Sequence, residues 1–213
     1  MNNPDFSCPL LAIDTSTPAC SVALRADERI FSRFHQGHGK HTDVILPMID
    51  ELFQASGYTL QSLAGIILSA GPGAFTGLRV GASVAAGLAA AFNTPIGCLS
   101  SLALLAAGSE KEGAVLALLD ARMQQCYAGL YQSVNSGFQC LQKDRLVMPQ
   151  QLSDWQVSNV VGPGAIYFPQ WAHLESVQSI PDAKNAFKAL NLVRWQSASQ
   201  PIEIDYLRND VTS

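Results

Sequence analysis

A glycine-rich run, placed between a short apolar segment and a long helix of small residues, constrains this chain more than any other feature. Residues 69–81 read SAGPGAFTGLRVG and follow the apolar residues 65–68. The glycines permit a tight turn, Pro72 stiffens it, and Thr76 is predicted to cap the helix that follows. Such a junction either directs backbone N–H groups toward an anion or lets a second helix approach closely.

The pattern of apolar runs in the first half predicts an α/β fold. It gives the element order βββαβαβ, with a further helix beginning at Ser101. This order implies a mixed sheet with helices on its faces. The predicted strands are residues 10–13, 21–24, 29–34, 65–68 and 95–98, and the predicted helices are residues 42–55, 77–92 and 101–107.

The second half repeats this order more loosely. It is predicted to hold a hairpin around residues 120–123, strands at 138–141 and 157–161, and a helix at 182–197. No linker rich in proline, glycine or serine separates the halves, so the division is placed after the helix at 101–107. We therefore expect an N-terminal lobe of residues 1–107 and a C-terminal lobe of residues 108–213.

The helix at residues 77–92 has one stripe of large side chains and one smooth side. Val80, Val84, Leu88 and Phe92 recur at intervals of four residues and are expected to pack on the sheet. Interior glycines cost roughly 1 kcal/mol each relative to alanine, which a helix tolerates where a neighbour approaches closely. The pattern fits equally a helix that is buried in its own lobe. The smooth side holds Arg79, Ala82, Ser83, Ala86, Ala89 and Ala90.

The helix at residues 42–55 favours an interface. Its apolar residues cover an arc of about 200°, against the ~100° that a one-sided surface helix needs. Because such an arc can contact its own core and a partner together, the two helices are predicted to form a helix-bundle interface with another chain. The residues assigned to this interface are Ile45, Ile49, Phe53, Arg79, Ala82, Ser83, Ala86 and Ala90.

The hydroxyl-rich turn after the first strand resembles the first phosphate loop of actin-like ATPases. In those enzymes an acidic residue holds a metal-bound water and small groups contact phosphates, so the candidates here are Asp14, Thr15 and Ser16. The alternative is a turn cap in which Asp14 bonds to the local backbone. The actin-like pattern also has a glycine in this loop, and none follows Asp14 closely.

Other catalytic chemistries find little support in the sequence. His35, His38 and His41 would not share a helix face, and His173 is distant, so no metal site is predicted. There is no GxSxG elbow and no cysteine motif of a known catalytic family. The Asp-Ala-Arg sequence at residues 120–122 fits either an ion-paired turn or a polar contact to a partner.

The charge distribution and the cysteines limit the kinds of partner and the cellular compartment that we expect for this chain. The 213-residue chain has a formal net charge of −4, with 5 basic and 7 acidic side chains in residues 1–100 and 8 and 10 in the remainder. Without a basic face, direct high-affinity binding of nucleic acid is not expected. Five scattered cysteines, an N-terminus without a signal-peptide pattern and no run typical of a membrane span predict a cytoplasmic protein without membrane contact.

Five segments, taken together, resemble the TsaB (YeaZ) family. The glycine run at residues 71–81 is the most specific of them, and the segments occur in order over nearly the whole chain. The other four are LAIDTST at residues 11–17, LPMI at 46–49, DARM at 120–123 and YLRN at 206–209.

The resemblance implies an actin-like, RNase H-like (ASKHA) fold of two lobes with mixed sheets flanked by helices. It also implies a non-catalytic role in bacterial synthesis of N6-threonylcarbamoyladenosine at position 37 of tRNAs that read codons beginning with A. In that family the protein binds its catalytic relative TsaD through helices of the first lobe, and TsaD acts together with the ATPase TsaE. We therefore expect no cofactor on the chain alone, ATP or ADP only in complex with partners, and only indirect contact with tRNA.

The residues themselves support the non-catalytic role. TsaD-like proteins carry an HxxxH metal pair where this chain has residues 99–105, which contain no histidine. The glycine-rich second phosphate loop is also missing, and residues 120–123 stand in its place. The alternatives are an actin-like ATPase or kinase that uses Asp14, a glycoprotease-type metallopeptidase, and a regulatory homodimer with a separate role. When TsaD is absent, the interface helices are also expected to pair two copies of this chain.

Overall fold

The first of two mixed β-sheets forms from the buried apolar runs of the first half. The computed structural model describes residues 4–37, 40–135, 137–152, 157, 159–171 and 175–208. β1, β2 and β3 form an antiparallel meander, and β4 lies parallel to β1 with β5 parallel to β4. Since β1 and β4 are covered on both faces, they read as continuous apolar runs. The bounds are β1 (Leu10–Asp14), β2 (Cys20–Ala26), β3 (Arg29–His35), β4 (Gly65–Ser69) and β5 (Ile96–Leu99).

The second sheet repeats this plan. β6, β7 and β8 form an antiparallel meander, and β9 pairs parallel to β6, as β4 does to β1. The bounds are β6 (Ala114–Asp120), β7 (Cys126–Val134), β8 (Gly137–Val147) and β9 (Asn159–Val161). The looser repetition that the sequence predicts is confirmed in this topology.

A final strand returns to the first sheet. β10 (Arg194–Gln196) pairs antiparallel with β5, which gives the order β10-β5-β4-β1-β2-β3, while the second sheet has the order β8-β7-β6-β9. The Trp195 ring lies where a Cβ on Gly65 or Gly97 would stand. The division of lobes after residue 107 stays a prediction, and β10 shows that the first sheet also takes a strand from the second half.

In the described residues, the α-helices and the two sheets enclose three buried apolar clusters. α1 (His41–Ser56) and α2 (Phe75–Phe92) pack on one face of the first sheet. α3 (Ser101–Ala106) lies between the sheets, with all six residues buried. The third cluster, which contains Phe168 and Trp171, covers the far face of the second sheet.

Local signals set most helix ends. α1 ends at Gly57, whose φ of 76° suits glycine and whose N–H donates to the Phe53 carbonyl oxygen. The Ser100 side chain caps α3 by accepting two backbone N–H groups. The predicted cap at Thr76 is wrong, because α2 begins at Phe75, two residues before the predicted start, and Ala74 is its N-cap, without a side-chain hydrogen bond.

The predicted order βββαβαβ is confirmed, but the predicted helix at residues 182–197 is wrong. That region forms 3-10 turns at Ala183–Lys188 and Leu190–Leu192, followed by β10. The helix is interrupted because the chain must reach the free edge of β5.

α2 is long and apolar enough to cross a membrane on length and composition alone, and about a third of it is buried in this fold. The apolar helix of a folded globular core meets the same criterion.

Candidate functional site: an interlobe cleft and an exposed helix face

A cleft opens where four segments meet: the β1–β2 turn, the glycine loop at residues 71–74, the β6–β7 turn and residues 205–208. Its cavity has a volume of about 530 Å³, within the range that holds small organic ligands. Polar and aromatic residues that line it include Ser16, Phe75, Asp120, Arg122, Tyr206 and Arg208.

The glycine loop packs against the β1–β2 turn of the same chain. Ala74 donates its backbone N–H to the Ser16 carbonyl oxygen at 2.7 Å. A Cβ on Gly73 would collide with Ser16, and a Cβ on Gly77 would collide with the Thr15 carbonyl oxygen. The Thr15 hydroxyl in turn donates to the Gly77 carbonyl oxygen at 2.8 Å. These glycines therefore allow the start of α2 to contact the turn after β1 backbone to backbone.

Asp14 lies beneath the cleft and is fully buried. Its Oδ1 accepts the Ser16 backbone N–H at 3.3 Å, as the turn-cap interpretation predicts, while its Oδ2 has no hydrogen-bond partner among the residues that the structure describes. Burial raises the pKa of the Asp14 carboxyl, and the nearby hydroxyls of Ser16 and Ser69 oppose that shift without cancelling it. The Ser16 hydroxyl, buried in the cleft wall, also has no partner.

Replacing Asp14 by asparagine is expected to stabilise the protein at neutral pH. Because the folded-state pKa of Asp14 is raised, its favourable contribution is complete below the unfolded pKa of about 4 and is lost as the pH rises through the folded pKa. Urea unfolding between about pH 4 and 8 should show the variant gaining on the wild type as the pH rises, by at least about 1 kcal/mol at the upper end. A difference that is independent of pH would contradict this.

The turn between β6 and β7 has an unusual backbone conformation. Arg122, Met123 and Gln124 have φ angles of 64°, 52° and 58°, in the left-handed region that side chains other than glycine seldom adopt. Asp120 accepts the Arg122 backbone N–H at 2.7 Å and pairs with the Arg122 guanidinium at 3.3 Å. The ion-paired interpretation of this turn is therefore confirmed.

Two residues of the cleft, Tyr206 and Arg208, received no role from the sequence beyond their place in the YLRN segment. The Tyr206 ring packs on Phe75 with ring centroids 5.3 Å apart, and Arg208 donates to the Met123 sulfur at 3.0 Å. The segment has no periodicity, so the family resemblance was the one signal that pointed to it. Asn209, the last residue of YLRN, lies outside the described residues.

The smooth side of α2 faces solvent along much of its length. Ala82 is half-buried at its margin, and Ala89 is buried. The name "α2 face" is used here for the exposed residues Arg79, Ser83, Ala86, Gly87 and Ala90.

The expected contribution of α1 to the same surface is wrong for two residues. Ile45 and Ile49 are only 0% and 3% exposed, because they pack in the core of the first lobe. Phe53 is half-buried, and Leu46, which was not assigned to the interface, is 52% exposed. The apolar arc of α1 is wide, as predicted, but the residues at its centre are buried in this chain's own core.

The two interior glycines of α2 have different surroundings. A Cβ on Gly81 would collide with the Thr15 side chain, so Gly81 serves packing within the chain. A Cβ on Gly87 would meet nothing within 4 Å. Gly87 therefore weakens the helix by roughly 1 kcal/mol relative to alanine, although no contact within the described chain requires a glycine there.

Among the described residues, no group of three or more His, Cys, Asp and Glu side chains is placed to hold a metal ion. The Nε2 atom of His41 lies 3.2 Å from the Pro18 carbonyl oxygen, so that side chain contacts the β1–β2 turn. His38 and His173 lie outside the described residues.

Comparisons with known proteins show what this chain is similar to. A family model described as TsaD, tRNA N6-adenosine threonylcarbamoyltransferase, matches residues 35–193. The tRNA threonylcarbamoyladenosine biosynthesis protein TsaB of Escherichia coli is 41% identical over 131 residues, which cover 60% of this chain and 57% of that protein. The protein of the same name from Haemophilus influenzae is 36% identical over 225 residues, covering 95% of this chain and 94% of the relative.

A solved structure, YeaZ from Pseudomonas aeruginosa, matches with a TM-score of 0.81 at 29% identity and covers 93% of this chain and 100% of that one. Two sheets that share a meander with a parallel strand beside it, together with this match and the TsaD-type family match, define an actin-like (ASKHA) protein of two lobes. The aligned part spans little more than half of the E. coli relative but nearly all of the H. influenzae one. Within the actin-like class, the chain belongs to the TsaB family.

Proposed function

We propose that this protein is a non-catalytic subunit of the machinery that makes threonylcarbamoyladenosine in tRNA, and that it acts by binding TsaD. Its curated relatives are named for that biosynthesis. The family model that matches most of the chain is the one for TsaD, so the proposed partner has a related fold. Related folds commonly associate through equivalent elements. We therefore place the contact with TsaD on α1 and α2, the helices on the outside of the first sheet.

The observation that carries the binding role is Gly87 on the α2 face. A glycine in a helix interior that none of the described residues requires is explained by a second helix that approaches closely at that point. Ala86 and Ala90 beside it are exposed and keep the surface smooth. Arg79 gives the surface one charged group for orientation.

The cleft supports a non-catalytic role because the charged side chains Asp120 and Arg208 that line it make contacts within the chain. Asp120 is held by Arg122, and Arg208 bonds to the neighbouring turn. Asp14, the proposed metal-water ligand of the ATPase alternative, is buried below the cavity and is not among the residues that line it.

The remaining parts of the proposal follow from the resemblance. TsaE joins the complex through TsaD, ATP or ADP binds only when these partners are present, and tRNA is contacted indirectly in the cytoplasm. When TsaD is absent, the α2 face pairs two copies of this chain.

Reconstitution of tRNA modification from purified components tests the role. We expect modification to require this protein and to proceed at the wild-type rate with Asp14→Asn, since the scaffold does not use that carboxylate. Modification without the protein would contradict the proposal. Loss of activity in a folded Asp14→Asn protein, together with tight binding of ATP and Mg²⁺ by the isolated chain in calorimetry, would favour the actin-like ATPase.

A further inference from the structure

Residues 205–208, which we call the strap, run across the molecule between the two lobes. At one end the Asp205 backbone N–H donates to the Ala70 carbonyl oxygen at 2.8 Å, and the Asp205 carboxylate pairs with Arg194 at 2.9 Å. A Cβ on Gly71 would stand 2.7 Å from the Asp205 carbonyl oxygen, so the glycine loop is shaped to let the strap pass. This end of the strap is fixed to the first lobe.

The middle of the strap is held by a residue of the α2 face. Arg79 donates from Nε to the Tyr206 hydroxyl at 3.3 Å, and its guanidinium carbon lies 3.7 Å from the centroid of the Phe75 ring. Phe75 packs on the other side against Tyr206. No carboxylate pairs with Arg79 in the described parts of the chain. The contacts of the Arg79 guanidinium with the Tyr206 phenol and the Phe75 ring are thus both with neutral groups.

The far end of the strap holds the β6–β7 turn of the second lobe. Arg208 donates to the Met123 sulfur at 3.0 Å, to the Arg122 carbonyl oxygen at 3.4 Å and to the Gln125 side-chain oxygen. These are the residues around the left-handed backbone of the turn, a conformation that needs support from its surroundings. All three acceptors are neutral.

We propose that the strap couples the α2 face to the β6–β7 turn, so that a partner whose carboxylate takes Arg79 from Tyr206 frees the strap and lets the turn relax. A carboxylate can displace the phenol because it offers the Arg79 guanidinium an opposite charge and two parallel hydrogen bonds, whereas the phenol oxygen accepts one. The trigger rests on the proposed function, since it places the partner on the α2 face. The coupling itself is a property of this chain alone.

Hydrogen–deuterium exchange of the isolated protein tests the coupling. In Arg79→Ala and Tyr206→Phe the amides of residues 121–125 are expected to exchange about fivefold faster, the factor that one ordinary hydrogen bond contributes. Among the described residues, the side-chain hydrogen bonds and ring contacts of Arg79 and Tyr206 are with each other and with Phe75. Arg208→Ala should have at least the same effect. Ser83→Ala, one turn further along the α2 face and without a contact to the strap, is the matched control and should leave the rates unchanged.

Wild-type exchange at residues 121–125 in folded Arg79→Ala and Tyr206→Phe proteins would overturn the coupling, and so would wild-type exchange in Arg208→Ala. Addition of TsaD tests the trigger: the α2 amides should become protected while residues 121–125 exchange faster. Protection of α2 with an unchanged turn would overturn the trigger and leave the binding surface intact. Absence of protection at α2 would instead count against the proposed function. The coupling would not be affected, because exchange in the isolated protein tests it without TsaD.

Discussion

Replacing Gly77 by alanine is expected to lower the free energy of unfolding by about 3 kcal/mol, at the upper end of the cost of overpacking a core. The added Cβ would overlap the Thr15 carbonyl oxygen, which is backbone and can move only if the β1–β2 turn moves with it. Because that turn also accepts the Ala74 N–H, the strain would spread into the glycine loop. For a chain of this length the change corresponds to a fall in Tm of roughly 6–12 °C, measurable by thermal denaturation.

Gly87→Ala is the matched control for this effect, because it makes the same substitution in the same helix. Its Cβ would enter open space, so alanine is expected to raise the free energy of unfolding by up to about 1 kcal/mol through helix propensity alone. Opposite signs for the two variants are the expected result. Equal effects would show that helix propensity, and not the contact with Thr15, decides the role of glycine at both positions.

Glutamate at position 86 is expected to weaken association with TsaD by at least about 100-fold while leaving this protein folded. Ala86 is exposed, so the substitution is tolerated by the free chain, but a buried and unpaired carboxylate in a helix interface costs several kcal/mol. Titration calorimetry or co-elution with TsaD measures the loss. Ser133→Glu, which adds the same charge at an exposed position of β7, should bind as the wild type does.

Undiminished binding of a folded Ala86→Glu protein would remove the α2 face from the proposal. The same pair of variants also distinguishes self-association. If two copies pair through the α2 face, the homodimer is expected to dissociate in Ala86→Glu and to persist in Ser133→Glu, which sedimentation measures without any partner present.

Sequence patterns predict those parts of the fold in which one local signal dominates. β1 and β4 are continuous apolar runs flanked by turn residues, and both are found with nearly the expected bounds. The region that was assigned as one helix at residues 182–197 was missed for a different reason. Its short apolar repeats fit a helix, but pairing with β5 and the packing of Trp195 over glycine are long-range contacts that no local pattern contains.

The candidate site shows the same division. The smooth side of α2 was recognised because it depends on side-chain size along one helix. Ile45 and Ile49 are wrongly predicted as interface residues because an apolar arc indicates how much of a helix surface is buried. It does not indicate whether the chain's own core or a partner buries that surface. The resemblance pointed to residues 206–209 but not to the contacts of the strap, because most of these join residues more than eighty positions apart, as Arg208 and Met123 do.

The return of β10 to the first sheet has a consequence for how the protein is made. While the chain leaves the ribosome, this edge of β5 lacks its partner strand until residues Arg194–Gln196 have been synthesised. An unpaired edge of this kind attracts strands from other chains. The first lobe therefore depends on the second half of the chain for the strand that covers this edge. A truncated gene that encodes only the first lobe would produce a protein with an unpaired, aggregation-prone strand edge.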